Sequence, residues 1–402
     1  MSTSLLYHTQ GIRNFQHISY SYKSGTLIWS IIRCSNKFRC SCCGSSKVTA
    51  TKVGTRDFIG IPMGRMKTLL RVHIHRVRCH NCQAYRVEKL EFAPHQKCHY
   101  TKSLAKHIIE YRGEMTVKAI AIKTGLHWNT VKGIEKEYLT KKYNSISVKD
   151  VTAIGIDEVN IGKKLFLTIV RDMDNGNVLF IGDGKGGESL EPFKKKLERS
   201  KHNIQTVAID LGAAYTCWAQ ENLPEAEIVY DKFHVIKLMN DKLNSVRKRT
   251  MNRLEKEDKK ALKGHRYTIL KNEENLSFNA KEQLEKIRAE YEELGTASFM
   301  KECLRNIYKF AENTDEAEFC LLRWVKLAQE TTVNELKTIS KTIKVKVKGI
   351  AAYWRERLTS ASMEGFNNKI GWLNRQAYGY RDIEYFKLKI FGLPKNQIIK
   401  RL

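Results

Sequence analysis

Apolar positions in the first hundred residues recur in short runs that are typical of β-strands. Residues 26–33 (TLIWSIIR) and 70–78 (LRVHIHRVR) are rich in β-branched side chains, and each run leads towards a group of cysteines. From about residue 99 to 147 the apolar positions take the spacing of helices. The pattern therefore predicts a strand-rich N-terminal segment that is followed by short helices.

A second group of strands is predicted from residue 151 onwards. VTAIGIDEV, KLFLTIVRD and NVLFIGD are apolar runs separated by short polar breaks, and DNGN at 174–177 predicts a hairpin turn between the last two runs. A helix (188–200), the strand IQTVAID (204–210), a short helix and the strand AEIVYD (226–231) follow. This segment is predicted to begin with three strands and to continue as alternating helices and strands.

The next block, residues 235–345, contains many Lys and Glu residues, few turn signals and no apolar run of the strand type. None of the prolines of the chain falls within it, which favours continuous helices. A last helical pattern covers about residues 348–390. We therefore expect the second half of the chain to be almost entirely helical.

Composition and charge bear on the partner of the protein. The chain has 402 residues, of which 42% are hydrophobic, as is ordinary for a globular protein of several domains. Its net charge of +28 and isoelectric point near 9.6 favour a polyanion, above all nucleic acid, with a membrane surface as the competing partner. No apolar run is long enough to cross a bilayer, and the first residues do not resemble a signal peptide. We therefore expect a cytoplasmic protein without a membrane role.

Two CxxC pairs stand out among the ten cysteines. They are Cys40 with Cys43 and Cys79 with Cys82. Two such pairs can offer four thiolates in a tetrahedron around Zn²⁺, and this arrangement leaves no open position for catalysis. The remaining cysteines are scattered, which suits a reduced compartment with one metal site better than a disulfide framework. A structural zinc site is therefore predicted, and a set of buried reduced thiols is the alternative.

Residues near the CxxC pairs leave the ligand set open. The other candidates are Cys34, Cys42, His73, His75 and His80. We expect each CxxC pair to lie at a hairpin tip with two strands between the pairs, and Gly44 permits a tight turn after the first pair. Histidines that alternate along a strand are more often surface residues than ligands.

The segment MTVKAIAIKTGLHWNTVKGIEKEYL, residues 115–139, predicts a helix-turn-helix. Its first helix is expected to bury Val117, Ile120 and Ala121, and its second helix to bury Val131, Ile134 and Tyr138. Gly125 supplies the turn. The residues at the exposed start of the second helix, where side chains can reach base edges, are Trp128, Asn129, Thr130 and Lys132. A plain helical hairpin is the alternative, and the basic charge of the chain counts against it.

Two aspartates are candidates for metal chemistry because each follows an apolar strand pattern. Asp157 comes at the end of AIGID, and Asp210 comes at the end of TVAID. Their carboxylates can converge only if the two strands are neighbours in a sheet, and Mg²⁺ prefers such oxygen ligands. Taken singly, each aspartate is better explained as a turn or helix cap. Glu158 ranks second, since it would point to the other face if the strand continues.

A third carboxylate, Glu364, opens a helical pattern with two distinct sides. The apolar side is expected to contain Met363, Phe366, Ile370, Leu373 and Ala377. The polar side is expected to contain Glu364, Asn367, Asn368, Gly371 and Arg375. In the alternative interpretation Glu364 is an ordinary first-turn carboxylate, and Ser360 or Ser362 caps the helix. The segment RQAYGYRD that follows interleaves arginines with tyrosines, a combination that suits nucleic acid.

These residues carry a resemblance to a known family. MEGFNNKIGWLNRQAYGYRDIEYFKLKI resembles the block around the catalytic glutamate of ISL3-family transposases, a DDE-type family of insertion sequences. GIDEV and VAIDLGAAY are similar to the blocks around the first and second catalytic aspartates, and DKFHVIKLMN is similar to the family's DxFH segment. The CxxC pairs and the helix-turn-helix match the N-terminal half of the family. The chain departs from the family at Gly371 and Asn374, where lysine is usual.

The resemblance implies an α/β fold with an RNase H-like catalytic core. In such a sheet the first and fourth strands are neighbours, which would bring Asp157 and Asp210 together. The implied domains are 1–97 (zinc ribbon), 98–147 (helix-turn-helix), 148–235 (first part of the core), 236–345 (helical insertion) and 346–402 (last part of the core, with the catalytic glutamate and a basic tail).

Carried over residue by residue, Asp157, Asp210 and Glu364 would be the catalytic triad that holds Mg²⁺ or Mn²⁺. Asp231 and His234 would support it, although His234 is equally well explained as a polar residue at a helix start. The residues expected to contact DNA around the third carboxylate are Asn367, Asn368, Lys369, Arg375, Tyr378, Tyr380 and Arg381.

The resemblance also implies an activity. The protein would be a DNA transposase that binds the terminal inverted repeats of an insertion sequence, cleaves a strand at the element end and joins it to target DNA. Its partner would be double-stranded DNA, its active form a dimer or larger assembly, and its location the bacterial nucleoid. The alternatives are a zinc-ribbon and helix-turn-helix regulator without catalysis, an RNase H-like nuclease that cuts without joining, and a transposase copy that has lost activity.

Overall fold

The computed structural model describes residues 2–34, 38–162, 164–255, 259, 262–356 and 361–393. The chain divides into two compact units, residues 1–144 and 145–402. Ser360, the side chain of Ser362 and the end of the predicted basic tail, 394–402, lie outside the described residues. Within the described part of the chain, no helix is both long and apolar enough to span a bilayer.

The N-terminal unit contains a five-stranded sheet. Its strands are β1 (Phe15–Lys23), β2 (Thr26–Arg33), β3 (Val48–Met63), β4 (Met66–Cys79) and β5 (Tyr85–Val87). The order is β1-β2-β4-β3, and β5 pairs with the end of β4. β2 and β4 are parallel, and the other pairs are antiparallel. The strands predicted at 26–33 and 70–78 are confirmed as β2 and as part of β4.

The long hairpin of β3 and β4 positions the cysteines. Its register places Val48 opposite Cys79, so the start of β3 and the end of β4 meet at one end of the hairpin. The second CxxC pair lies at the tip between β4 and β5, as predicted. The first pair, in contrast, lies in a turn ahead of β3 and not at a hairpin tip, because β3 pairs with β4 and not with the strand before it.

The helices of the N-terminal unit are α1 (Ser2–Gln10), α2 (Lys102–Tyr111), α3 (Val117–Thr124) and α4 (Trp128–Tyr143). α3 ends at Gly125, whose φ of 74° makes the turn into α4. Val131 and Ile134 are buried as predicted. The predicted anchor Tyr138 is wrong: it is 36% exposed, and Leu139 is fully buried. The buried stripe of α4 advances in steps of four residues towards Leu139, and Tyr138 lies about 100° away from it.

The C-terminal unit contains a second five-stranded sheet. Its strands are β6 (Ala153–Gly162), β7 (Leu165–Asp172), β8 (Val178–Asp183), β9 (Thr206–Ile209) and β10 (Glu227–Tyr230). The order is β10-β9-β6-β7-β8, with β6, β7 and β8 antiparallel and β9 and β10 parallel to β6. The predicted strands are confirmed. So is the hairpin turn between β7 and β8, where Asp172 accepts hydrogen bonds from the N–H groups of Asp174 and Asn175.

Helices make up most of the remaining unit. They are α5 (Glu191–Glu198), α6 (Ala213–Asn222), α7 (Lys232–Arg253), α8 (Arg266–Leu270), α9 (Phe278–Glu290), α10 (Glu292–Phe310), α11 (Thr314–Glu330), α12 (Asn334–Ala351), α13 (Tyr353–Glu356), α14 (Ala361–Gln376) and α15 (Ile383–Phe391). We call α7–α12 the helical block. Its described residues contain helices and no strand, as predicted.

The two faces of this sheet have different cores. Ile154 and Ile156 of β6 belong to a large core that continues into the helical block. Val159 of the same strand belongs to a smaller core with Phe366 of α14 and Phe386 of α15. Alternation along β6 explains the division, since successive side chains point to opposite faces. The sheet is therefore covered on one face by α5, α6 and the helical block, and on the other face by α14 and α15.

α12 packs directly on the edge strand β10. A Cβ atom at Gly349 of α12 would lie 2.8 Å from the carbonyl oxygen of Ile228 and 2.8 Å from ring atoms of Tyr230. Glycine is required for this close approach, because no larger side chain fits between the helix and the strand.

Candidate functional site

The cysteines of the two CxxC pairs form one cluster. The Sγ atoms of Cys40, Cys43, Cys79 and Cys82 all lie within 4.8 Å of one another. Cys40 and Cys82 are 3.6 Å apart at Sγ, and so are Cys43 and Cys79. Disulfides are excluded, because bonded sulfurs are about 2.05 Å apart. A tetrahedron with Zn–S bonds of about 2.3 Å has an edge of about 3.8 Å, so the cluster is compatible with zinc.

Backbone geometry favours thiolates in this cluster. The N–H groups of Cys43 and Cys42 point at the Sγ atom of Cys40 and lower the pKa of that thiol to about 6. In the second turn the N–H of Cys82 lowers the pKa of the Cys79 thiol. Metal ligands must be deprotonated, so these turns favour the metal-binding form of Cys40 and Cys79, whereas the neighbouring thiols raise the pKa of Cys82 in the absence of a cation.

The other predicted zinc candidates lie outside the cluster. Cys34 and Cys42 are exposed. The Nδ1 atom of His75 is 2.9 Å from the carboxylate of Glu88, and His80 is hydrogen-bonded to Thr49 at 2.8 Å. Burial lowers the pKa of His73, which is likewise not part of the cluster.

A cleft lies where the parallel strands of the second sheet end. The strand residues that pair at one level are Gly155, Ala208 and Val229. Two residues further along, Asp157, Asp210 and Asp231 come level with one another, on the same face as those paired residues. All three aspartates line the cleft, together with His234. The register of the sheet therefore gathers carboxylates that are far apart in the sequence.

Asp157 lies within its strand and not at its end, which corrects the prediction. β6 continues to Gly162 because β7 pairs with it as far as Leu165. The neighbour on the other side, β9, stops at Ile209. Asp157 is therefore held by a strand on one side and opens to the cleft on the other, whereas Asp210 follows the end of its strand as predicted.

The carboxylate of Asp157 is hydrogen-bonded at both oxygens. Oδ1 accepts the N–H of Glu158 at 2.7 Å, and Oδ2 accepts the Nδ2–H of Asn367 at 2.6 Å. Burial raises the pKa of Asp157 despite these bonds. The side chain of Glu158 points to the opposite face, where its Oε1 accepts the hydroxyl of Tyr215 at 2.8 Å. The predicted direction of Glu158 is thus confirmed.

α14 lies on the face that carries Asp157. The predicted apolar side is buried at Met363, Phe366, Ile370 and Leu373. Ala377, in contrast, is exposed because α14 ends at Gln376.

Asn367 was predicted on the polar side, but it faces the sheet. At 100° per residue it lies only about 40° from Met363 around the helix. Its contact with Asp157 was missed because a pair of asparagines in a basic segment favours DNA contacts.

Glu364 does not reach the two aspartates in this structure. Its side chain is exposed, while the neighbouring Met363 lines the cleft. Among the described residues, the four cysteines are the group of potential ligands that meets within 4.8 Å, and the predicted carboxylate triad is not such a group. Glu364 precedes Asn367 by three residues on α14, so their Cβ atoms are about 5–6 Å apart.

Asp231 and His234 form a unit at the start of α7. One oxygen of Asp231 accepts the N–H of Phe233 and caps the helix, and the other lies 2.8 Å from Nδ1 of His234. Burial disfavours the charged form of His234. The hydrogen bond to Asp231 and the charges of Asp231, Asp157 and Asp210 outweigh burial and raise its pKa.

The residues predicted to contact DNA differ in their exposure. On α4, Trp128 and Asn129 are exposed, and Thr130 and Lys132 are half-buried. On α14 and beyond, the exposed residues are Asn368, Arg375, Tyr378 and Arg381, and Lys369 is half-buried. Tyr380 packs inward, where its ring stacks on Phe386 at 4.5 Å. Tyr380 therefore packs against the smaller core, although its position between arginines in the sequence favoured a DNA contact.

Comparison with known proteins places the chain among transposases. A family model for transposases of the ISL3 type matches residues 154–390. The chain is 29% identical over 356 residues to the transposase for insertion sequence element IS1001 of Bordetella parapertussis, covering 87% of each chain.

It is 25% identical over 371 residues to the transposase for insertion sequence element IS1557 of Mycobacterium tuberculosis, covering 85% of this chain and 82% of that one. A solved structure, the Drosophila P element transposase strand transfer complex, aligns with a TM-score of 0.42 and 11% identity over 74% of this chain and 92% of that one. The family match shows that the chain belongs to the ISL3 family of DDE transposases, enzymes that cleave DNA and transfer its strands.

Proposed function

We propose that Asp157, Asp210 and Glu364 form the metal site at which this transposase cleaves and joins DNA, with Mg²⁺ or Mn²⁺ as cofactor. The observation that carries the proposal is the parallel register of β6 and β9, which brings Asp157 and Asp210 to one cleft. Hard oxygen donors in this number suit a divalent cation that keeps water and phosphate oxygens as its other ligands.

Glu364 is proposed to complete the site by a movement of its side chain or of the first turn of α14. Asn367, one turn further on, already contacts Asp157. The start of α14 therefore lies beside the cleft, and its exposed glutamate needs to cross only a short distance. Carboxylates close together repel one another, so bound cations favour this movement.

The residues of the cleft have separate tasks in the proposed reaction. Divalent cations held by the proposed carboxylates would lower the pKa of the attacking water or hydroxyl and would offset the charge that develops on the phosphate. Asn367 holds one oxygen of Asp157, which leaves that carboxylate with few orientations. Asp231 binds Nδ1 of His234, so that Nε2 is the ring nitrogen left to donate to a phosphate oxygen.

The N-terminal unit is proposed to recognise the terminal inverted repeats of the element. The four-cysteine cluster would hold a structural zinc ion in a zinc ribbon, and α3 and α4 would act as a helix-turn-helix. Trp128 and Asn129 are exposed at the start of α4, where a recognition helix contacts bases. The net charge of +28 supports binding of long DNA, which should weaken steeply with salt.

The C-terminal unit is proposed to be an RNase H-like core, interrupted by the helical block. Its strand order, with the first strand beside the fourth, supports this assignment. The protein would act in the cytoplasm on nucleoid DNA. Because two element ends have to be held together during transposition, we propose a dimer or larger assembly.

The test is cleavage and joining of labelled element ends with Mg²⁺, comparing wild type with Glu364→Gln. Wild-type protein should cut at the element end and join the freed 3′-hydroxyl to target DNA, and Glu364→Gln should do neither while melting at the wild-type temperature. Cutting without joining would make the protein a nuclease. Binding without cutting would make it a regulator or an inactive copy, and an active Glu364→Gln protein would remove Glu364 from the site.

A further inference from the structure

Helix α14 ends in a capping motif that usually requires glycine. The N–H of Gly379 donates to the carbonyl of Asn374 at 2.9 Å, and the N–H of Tyr378 donates to the carbonyl of Arg375 at 3.0 Å. This pair of bonds is the Schellman motif, whose first residue beyond the helix adopts a left-handed conformation. That residue is Tyr378, with a φ of 52°. Because a Cβ atom is strained there, a bulky side chain at this position is an outlier.

Among the described residues, no packing contact of the Tyr378 side chain offsets this backbone strain. Its side chain is fully exposed, at 101%, whereas the ring of Tyr380 stacks on Phe386. The other described non-glycine residues with positive φ are Asn14, Ser24, Gln83 and Lys164, none of which is aromatic. Strain that the fold does not use points to a role in function.

The surroundings of Tyr378 suit a nucleic acid strand. Arg375 in the last turn of α14 and Arg381 in the following loop are both exposed. Cationic groups beside a free aromatic ring are the combination that binds single strands, with the cations on phosphates and the ring on a base.

We propose that Tyr378 stacks on an unpaired base of the DNA strand held at the carboxylate cleft. This proposal rests on the proposed function, since it requires DNA at Asp157. The base has to be unpaired, because the faces of paired bases are already covered by their neighbours in the duplex.

The position of Tyr378 just beyond the end of α14 sets the distance of that base from the reaction. Asn367, near the middle of the helix, contacts Asp157. A rise of 1.5 Å per residue puts Tyr378 roughly 15 Å further along, or about four to five base steps of 3.4 Å. The unpaired base is therefore expected about four to five nucleotides from the phosphate that is cut.

Tyr378→Gly is the decisive variant, because strain and stacking predict opposite changes. Removing the strained Cβ should leave the melting temperature unchanged or raise it by about 2–4 °C. Strand joining should fall roughly 5- to 150-fold, the range for the loss of one stack between a base and an aromatic ring. Tyr378→Phe keeps the ring and should join like wild type.

A fluorescent base tests the contact without requiring cleavage. The probe is a duplex of the element end with 2-aminopurine in an unpaired stretch about five nucleotides from the cut, and the control is the fully paired duplex. Wild type and Tyr378→Phe should quench the unpaired probe, and Tyr378→Gly should not.

The outcomes separate this proposal from the proposed function. Equal quenching or equal joining by wild type and Tyr378→Gly overturns the stacking while leaving catalysis in place. Quenching that depends on Tyr378 in a protein that does not cut keeps the stacking and removes the catalytic function. If Tyr378→Gly changes only the sedimentation of the protein, the ring belongs to a contact between copies and the stacking is overturned.

Discussion

The four-cysteine cluster and the carboxylate cleft differ in how completely the fold assembles them. In the cluster all four Sγ atoms lie within 4.8 Å of one another. In the cleft, Asp157 and Asp210 line one cavity, but Glu364 stays exposed on α14. The fold thus brings together all four residues of the four-cysteine cluster but only two of the three carboxylates proposed for the cleft.

Two physical differences explain this contrast. The cysteines flank a single hairpin, in which the pairing of Val48 with Cys79 sets the position of both turns. The carboxylates come from two strands and a distant helix, and like charges repel unless a cation lies between them. Thiols are neutral when protonated and gather without that repulsion. The comparison predicts that cations and DNA complete the carboxylate site, whereas the fold alone completes the cluster.

The largest expected effect is the loss of cleavage in Asp157→Asn. Removing one carboxylate of the proposed metal site should lower the rate roughly 10³-fold or more, since a metal ion would supply several kcal/mol of charge stabilisation. The melting temperature without metal should stay the same or rise, because the variant no longer buries a charge. Cleavage of labelled element ends and thermal melting measure the two effects. Asp150→Asn, at an exposed position, is the control. Cleavage at the wild-type rate by Asp157→Asn would show that Asp157 is not part of the metal site.

Cys79→Ser should have the next largest effect, and in the other site. Loss of one thiolate should release the zinc ion proposed for the cluster and destabilise the N-terminal unit by several kcal/mol, since the binding free energy of a structural metal contributes to folding. Zinc content and unfolding of the full chain measure the change. Cys42→Ser, in the turn of the other CxxC pair but outside the cluster, should keep one zinc ion per chain. If Cys42→Ser also loses zinc, the ligand set is wrong.

Asn367→Ala sharpens the comparison within the cleft. Loss of the hydrogen bond to Asp157 should weaken Mn²⁺ binding by roughly 10- to 100-fold, as is usual when a group that orients a metal ligand is removed. Titration calorimetry of the full chain measures the affinity. Asn368→Ala, the same substitution at the exposed neighbour, should leave Mn²⁺ affinity unchanged. Equal affinities for both variants would show that Asn367 does not orient Asp157.

The smallest expected effect comes from a charge pair that needs no metal. Arg249 donates two hydrogen bonds to Glu335 in the helical block, at 3.0 and 2.8 Å. These bonds lower the pKa of Glu335 below its ordinary value of 4.5. Its stabilisation is therefore fully present above pH 4.5 and is lost as the pH falls through the lowered value.

Glu335→Gln should accordingly cost about 1 kcal/mol at neutral pH, because the pair is partly exposed and Arg249 keeps Glu293 as a partner. The difference from wild type should shrink as the pH falls below 4.5. Denaturant unfolding at several pH values measures this difference. A difference that is independent of pH would show that the ion pair between Arg249 and Glu335 does not stabilise the protein.

The sequence predicts those features that repeat along the chain. Apolar, β-branched runs placed the five strands of the second sheet, alternation along β6 gave the direction of Glu158, and the helical period gave the buried residues of α14. The CxxC spacing indicated the cluster, and the register of β3 with β4 brings both pairs to the same end of one hairpin. Such patterns lie within short stretches of the chain, so one sequence is enough to recognise them.

Features that depend on neighbours from elsewhere were missed. β6 runs past Asp157 because β7 supports it, and nothing near AIGID shows how far β7 extends. Asn367 is polar yet faces the sheet, because Asp157 provides a partner there. Tyr380 lies among arginines but packs on Phe386, since α15 folds back over the loop. In each case tertiary contacts decide what composition alone leaves open.

The close packing at Gly349 has a mechanical consequence. Backbone and ring atoms of β10 lie 2.8 Å from the position that a Cβ of residue 349 would occupy. α12 and the edge strand therefore cannot move closer together. A push on the helical block is therefore transmitted to β10, and Asp231 follows directly after that strand. If DNA binds to these helices, any displacement of the helical block would shift β10 and, through it, Asp231 in the cleft.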